Sequence, residues 1–176
     1  MDKLFKVDFF DNILGTIGKR EAHKKPILHR AFSVFLFDGN KLLLQQRAKG
    51  KYHSGGLWAN TCCSHPHSED TKKEAETRLK EECGIKNVKL KELFKFTYLT
   101  KFNDELYEHE LDHVFVGEFS GKFKPNKEEV ACMRWVDVDK LSKDMLAHPT
   151  KYATWFLICA PKVISYIKSN KKTPKF

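Results

Sequence analysis

Apolar and polar residues alternate along much of the chain, and the alternation predicts strands. Residues 29–37 (HRAFSVFLF) are β-branched and aromatic, Asp38-Gly39-Asn40 signals a turn, and KLLLQQ resumes the pattern, so a hairpin is expected. Farther on, ELFKFTYLTKF and ELYEHELDHVFVGEF read as two strands joined at Asn103-Asp104, with VACMRWVDV as another. Between these lies a helical repeat: Thr71, Ala75, Leu79 and Cys83 recur at four-residue spacing and predict a core-facing stripe. Ser68 is the expected cap, Glu69 and Asp70 fill the first turn, and Gly84 suits the end. A last helix, roughly 152–168, carries Pro161 inside it, where a kink or a division is expected. A basic, glycine-bearing loop over 48–56 leads from the hairpin into LWANT. This order predicts an α+β fold, a mixed sheet with helices packed on it around one sandwich-like core.

Composition narrows the picture. A length of 176 residues suits one domain, and 41% hydrophobic residues with 14 Phe and 3 Trp support a packed interior. No run approaches the ~18 apolar residues of a membrane span, and the acidic residues of MDKLFKVDFF do not suit a targeting segment, so a soluble, cytoplasmic protein is expected. Cysteines at 62, 63, 83, 132 and 159 form no CxxC pair, which suits reduced thiols and no structural disulfide. The net charge of +9 is compatible with nucleic acid, a membrane surface or a phosphorylated small molecule. Much of the excess sits in KSNKKTPKF, read as a solvated basic tail over about 169–176, and no basic-aromatic interleaving marks a nucleic-acid groove.

Candidate chemistry gathers in a few places. LWANTCCSHPHSED sets two cysteines side by side before His-Pro-His; neighbours can hardly bond to each other without strain, which suggests a reactive or metal-facing thiol. In the strand from Leu106, Glu108 and Glu110 project to one side about 7 Å apart along the chain, followed on that side by Asp112. Such a pair invites a cation, although a solvated sheet face would look the same. With His23, His29 and His65 the two glutamates would make three nitrogens and two oxygens, a set suited to Mn, Mg, Fe or Zn, but no spacing rule brings the five together. On the helix, Glu74, Arg78 and Glu82 share a row beside Glu81, either as an ion-pair ladder or as a carboxylate holding Mg for a diphosphate.

NTCCSHP, the helix TKKEAETRLKEECGI and the downstream YEHE together resemble type I isopentenyl diphosphate isomerases, from GTIGKREAH through TKYATWF. The resemblance implies a Nudix-type α/β/α sandwich around a mixed sheet, one domain over 1–176 with its core at about 29–160. It implies Cys63 as the catalytic thiol, Glu110 as its acid–base counterpart and Tyr98 as support for Glu110. His23, His29, His65, Glu108 and Glu110 correspond to a tight divalent site (Mn, Mg or Zn), and Glu82 to a second Mg that arrives with the substrate. Lys19, Arg47 and Lys51 fall where the family contacts the diphosphate, and Trp155 where it shields the C5 skeleton. Cys62, on the opposite strand face, is expected to pack.

The Nudix box GX5EX7REUXEEXGU survives in part: Glu69 stands at the first Glu, Thr77 and Arg78 replace the usual Arg-Glu, and Glu81-Glu82 remain. That erosion argues against diphosphate hydrolysis. A silent Nudix binding module would not need the Cys-His-Glu-Glu set, and a zinc-bearing nucleic-acid binder would want CxxC spacing. The implied reaction moves a double bond, with a proton gained at C4 and one lost at C2 of isopentenyl diphosphate. The implied partner is a small diphosphate, with no nucleic acid and no membrane, bound by a monomer or weak dimer.

Overall fold

The computed structural model describes residues 3–170; the remainder of the basic tail lies outside them. A buried strand, β3 (His29–Asp38), runs through the middle, its residues buried up to the terminal Asp38 because both faces are covered. The hairpin turn at Gly39, with φ of 54°, returns the chain as β4 (Lys41–Arg47). Before them stand β1 (Lys3–Val7), β2 (Ile13–Gly18) and the short α1 (Lys19–Lys24), an N-terminal hairpin and helix that the alternation did not reveal. The exposed positions of β2 explain why: an edge strand without a buried face has no periodic signal.

Short strands β5 (Trp58–Ala59) and β6 (Cys62–Ser64) follow the 48–56 loop, then α2 (Thr71–Cys83), β7 (Lys91–Asn103), β8 (Leu106–Glu118), β9 (Val130–Asp137), α3 (Val138–Ala147) and α4 (Thr154–Asn170). β8 pairs in parallel with β3 from His29 opposite Glu110 to Phe37 opposite Glu118, while β6 pairs antiparallel on β3, Ser33 opposite Cys63. β7 pairs with β8, and β9 with β4. The sheet is therefore mixed, as expected.

Strand alternation divides the core in two. Phe35, Phe37, Val114 and Val116 pack with α3 and α4, whereas Phe32, Val34, Leu36 and Phe115 pack with Ala75, Leu79 and Cys83 of α2. The α2 stripe is the one its spacing predicts. Its cap differs: Asp70, not Ser68, accepts from the Lys73 N–H at 3.0 Å, so Ser68 and Glu69 precede the helix. Gly84 ends it at φ of 68°, in the left-handed region.

Pro161 does not divide α4. The helix runs on from Thr154 to Asn170, its buried Phe156, Cys159, Ala160, Val163, Ile164 and Ile167 pressed on the sheet. Burying several such side chains at about 1.5–3 kcal/mol each outweighs the ~3 kcal/mol of an interior proline. Among the described residues no helix is long and apolar enough to cross a membrane.

Candidate active site

The parallel register of β3 and β8 places His29 beside Glu110, and both side chains point to the face that α4 covers only in part. Cys63, opposite Ser33, shares that face, and the chain leaving β6 brings His65 after it. A cavity of about 350 Å³ opens there, lined by Cys63, His65, Tyr98, Glu108, Glu110 and Trp155, with Lys19, Arg47, Lys51 and Glu82 also on its wall. Cys62 faces the other way, into the α2 core, its Sγ 3.5 Å from Glu82 Oε2.

His23, His29, His65 and Glu110 converge, one ligand atom of each lying within 4.8 Å of all the others. Backbone carbonyls orient two of the rings: His29 Nδ1 lies 2.8 Å from Ile27 O and His23 Nδ1 2.6 Å from Lys19 O. With Nδ1–H donating there, each Nε2 keeps a lone pair, the arrangement of a metal-ligating histidine. His29 Nε2 faces His65 Nε2 at 3.2 Å, and His65 Nε2 lies 2.8 Å from Glu110 Oε1. Imidazole nitrogens converging beside a carboxylate fit a divalent cation, which would take the place of the protons between them.

Glu108 stands next to this group rather than within it. Its Oε1 is 2.7 Å from Nε2 of His53, and its Oε2 lies 3.0 Å from the Tyr98 hydroxyl oxygen. The same hydroxyl reaches Glu110 Oε2 at 2.6 Å. One phenolic hydrogen cannot serve two carboxylates, so a proton held on Glu108 and donated to the Tyr98 oxygen satisfies all three groups. Burial pushes the Glu108 carboxyl well above its ordinary range, reinforced by the Glu110 charge. For Glu110 burial acts in the same sense, but hydrogen bonds from His29 and His65 overcome it and hold it well below. Burial also raises Asp112, whose Oδ2 accepts from Ser33 at 2.7 Å.

The imidazoles divide likewise. Burial holds His23 and His65 down to about 4 and His53 to about 3, so all three are neutral near pH 7. Burial opposes charge on His29 as well, yet the hydrogen bond and charge of Glu110 raise it. Burial pushes the Cys63 thiol up to about 12, against the pull of Arg47, whose Nη1 is 3.6 Å from Sγ.

Arg47 also lies 5.1 Å from the Trp155 ring centroid, and its buried Nε finds no hydrogen-bond partner among the described residues, a donor suited to an anionic ligand. Lys51 is paired with Glu129, and Lys19 lies over the Tyr52 ring. Glu82 accepts from Arg78 Nη2 at 2.5 Å, and burial, despite Arg78, raises its carboxyl. The Trp155 indole donates to Asn60 Oδ1 at 3.0 Å, fixing the ring at the cavity wall. Of the residues singled out in the sequence, Cys63, His65, Tyr98, Glu108, Glu110, Trp155, Lys19, Arg47, Lys51 and Glu82 line this cavity and His23 and His29 adjoin it through His65 and Glu110, whereas Cys62, Glu74 and Glu81 are not on its wall. Tyr52, His53 and Asn60 were missed, because irregular segments offer no period from which to infer side-chain direction.

Residues 27–156 match the NUDIX domain family. The chain is 47% identical to isopentenyl-diphosphate Delta-isomerase 2 of Aromatoleum aromaticum over 93% of this chain and 87% of that one. It is 44% identical to the isopentenyl-diphosphate Delta-isomerase of Serratia proteamaculans, over 89% and 88% respectively. Among solved structures, a Deinococcus radiodurans protein superposes with a TM-score of 0.68 at 18% identity, covering 84% of this chain and 90% of that one. A MutT NUDIX hydrolase of Burkholderia pseudomallei gives 0.55 at 17%, covering 64% and 84%. The distant structures share the fold alone, whereas the curated relatives are 44–47% identical over most of this chain, and on that ground the chain belongs to the isopentenyl-diphosphate Delta-isomerase family of Nudix-fold proteins.

Proposed function

We propose that this protein interconverts isopentenyl diphosphate and dimethylallyl diphosphate, in the cytoplasm, as a monomer or weak dimer acting in isoprenoid biosynthesis. The observation that carries the reading is the presence of a thiol, Cys63, and a carboxylate bonded by Tyr98, Glu110, on one cavity with cationic side chains on its wall. Arg47, Lys19 and Lys51 take the diphosphate, which leaves the C5 skeleton against Trp155.

We assign Glu110 to C4 and Cys63 to C2. In the forward direction the Glu110 carboxyl gives its proton to C4, the C3=C4 pair forms the new C–H bond, and positive charge develops at the tertiary C3. The C2–H pair then becomes the C2=C3 bond as Cys63 thiolate takes the proton. Reversal exchanges the roles. One proton is therefore shared by the two groups: thiolate with carboxylic acid begins the forward reaction, and thiol with carboxylate the reverse. The ionisation described above is the second of these tautomers. Tyr98 connects Glu110 to the proton on Glu108, and Arg47 stabilises the thiolate, so both tautomers have support. The Trp155 π face and the surrounding carboxylates stabilise the cationic state.

A divalent ion, Mn, Mg or Zn, would be held by His23, His29, His65 and Glu110, with Glu108 alongside. When bound it would fix the orientation of Glu110 and tune its acidity. Glu82 is the residue we assign to a Mg accompanying the diphosphate, which requires Arg78 to release one carboxylate oxygen. The direct test is incubation with isopentenyl diphosphate and Mg in deuterated water, following product by NMR. Formation of dimethylallyl diphosphate with deuterium in the methyl group from C4 is expected; an unchanged substrate, or release of inorganic phosphate instead, overturns the proposal.

A further inference from the structure

His53 lies in the loop between β4 and β5, where no strand or helix directs it, yet its side chain is buried. The loop is folded tightly around it. Arg47 N donates to Leu57 O at 2.9 Å and Gly56 N to Arg47 O at 3.0 Å, closing the base. Ser54 adopts φ of 51°, and a Cβ at Gly55 would meet Lys49 O at 2.6 Å, so the chain next to His53 takes a shape few sequences permit. The imidazole stacks on Phe102 at 4.7 Å between centroids and meets Trp155 edge-on at 5.9 Å. Its Nδ1 is 3.3 Å from Ser54 Oγ, which can donate to it, leaving Nε2–H to donate to Glu108 Oε1 at 2.7 Å.

A continuous chain of contacts results: His53 Nε2 to Glu108 Oε1 at 2.7 Å, and the Tyr98 hydroxyl between Glu108 Oε2 at 3.0 Å and Glu110 Oε2 at 2.6 Å. Glu110 belongs to the metal-binding group, and His53 closes the opposite end of the chain. We infer that His53 is a positioning residue: it fixes the Glu108 carboxylate and, through Tyr98, sets the orientation in which Glu110 meets both the cation and the reacting carbon. This rests on the reading of a divalent cation at His23, His29, His65 and Glu110. It adds a residue of the 48–56 loop to that site, so the loop that follows Arg47 and carries Lys51 also braces the carboxylates. The backbone carries the link, since Arg47 Nη2 donates to His53 O at 3.4 Å.

The test separates the hydrogen bond from the ring. His53→Phe keeps the stacking on Phe102 and loses the donor; His53→Gln loses the ring and keeps an N–H of similar reach. Mn affinity of the metal-stripped full chain is measured by competition with a fluorescent chelator, beside kcat and KM. We expect His53→Phe to bind Mn about 10- to 100-fold more weakly, with kcat lowered and KM for isopentenyl diphosphate within about twofold, and His53→Gln to stay within a few fold on all three. In a Glu108→Gln background, His53→Phe adds less than about twofold, because the two act through one contact. Wild-type Mn affinity and kcat in His53→Phe overturn the inference, as do equal losses in the Phe and Gln variants, or losses that multiply in the Glu108→Gln background. Where His53→Phe does not fold, His53→Asn replaces it, too short to reach Glu108, and equality of Asn and Gln overturns the inference. A wild-type protein that binds no Mn overturns the cation reading and this inference together, whereas normal wild-type binding with an indifferent His53→Phe overturns this inference alone.

Discussion

Replacing Tyr98 with Phe removes one oxygen from a buried ring and changes little else, which makes it the sharpest probe of the proton relay. That oxygen sits 2.6 Å from Glu110 and 3.0 Å from Glu108, with the ring stacked on Phe96 at 5.6 Å, a contact that Phe retains. A hydrogen bond to a charged group contributes about 1.5–3 kcal/mol, so loss of the Glu110 contact alone predicts a roughly 10- to 150-fold fall in kcat. Loss of the relay as well sets an upper limit of about three orders of magnitude. Burial and the neighbouring Glu110 charge hold the Tyr98 phenol well above its ordinary range, so it remains a donor throughout the neutral range. Tyr98 is not one of the candidate ligands, so metal content at saturating Mn is expected to be unchanged, with Mn affinity lowered no more than in His53→Phe. Removing a buried donor costs about 1–3 kcal/mol, and each kcal/mol lowers Tm by about 2–4 °C in a chain of this size. The assay is kcat beside metal content and a melting curve. Full activity in Tyr98→Phe refutes the relay, and loss of bound metal shows that the hydroxyl serves the cation instead.

Cys63→Ala is expected to abolish isomerisation while Cys62→Ala keeps most of it, since Cys62 packs against α2; equal losses in a coupled assay would overturn that division. Glu82→Gln is expected to weaken Mg-dependent substrate binding while leaving the histidine-site metal in place, which metal analysis of the purified variant checks. Affinity for that metal should rise with pH. His29, with its raised pKa, must give up a proton to bind, whereas His23 and His65 are already neutral above about 4. The sign is that of competition: protons win as pH falls through the His29 value. Between pH 5 and 6 log affinity should gain about one per unit, or about two if Glu108 also gives up its proton to join the ion. A slope near three in chelator competition would show that all three histidines titrate together.

Local chemistry was legible in the sequence wherever a period governed it. The two-residue period of a strand sent Cys62 and Cys63 to opposite faces and put Glu108, Glu110 and Asp112 on one, and the four-residue stripe of α2 found its core face. Cysteine spacing, the charge balance and the eroded Nudix box likewise needed no coordinates. Caps are subtler, because Ser68 and Asp70 both have an oxygen to offer and only the backbone path selects Asp70. At Pro161 local propensity predicts a kink or a division, and burial of the helix face on the sheet keeps α4 undivided. The convergence of His23, His29, His65 and Glu110 belongs to the tertiary structure. These residues come from α1, β3, the chain after β6, and β8, and they meet because β3 and β8 pair in parallel with His29 opposite Glu110, a register set by packing both sheet faces. His53 depends on that level altogether: it sits in a loop without a period, and the closure of that loop onto the sheet directs its ring to Glu108.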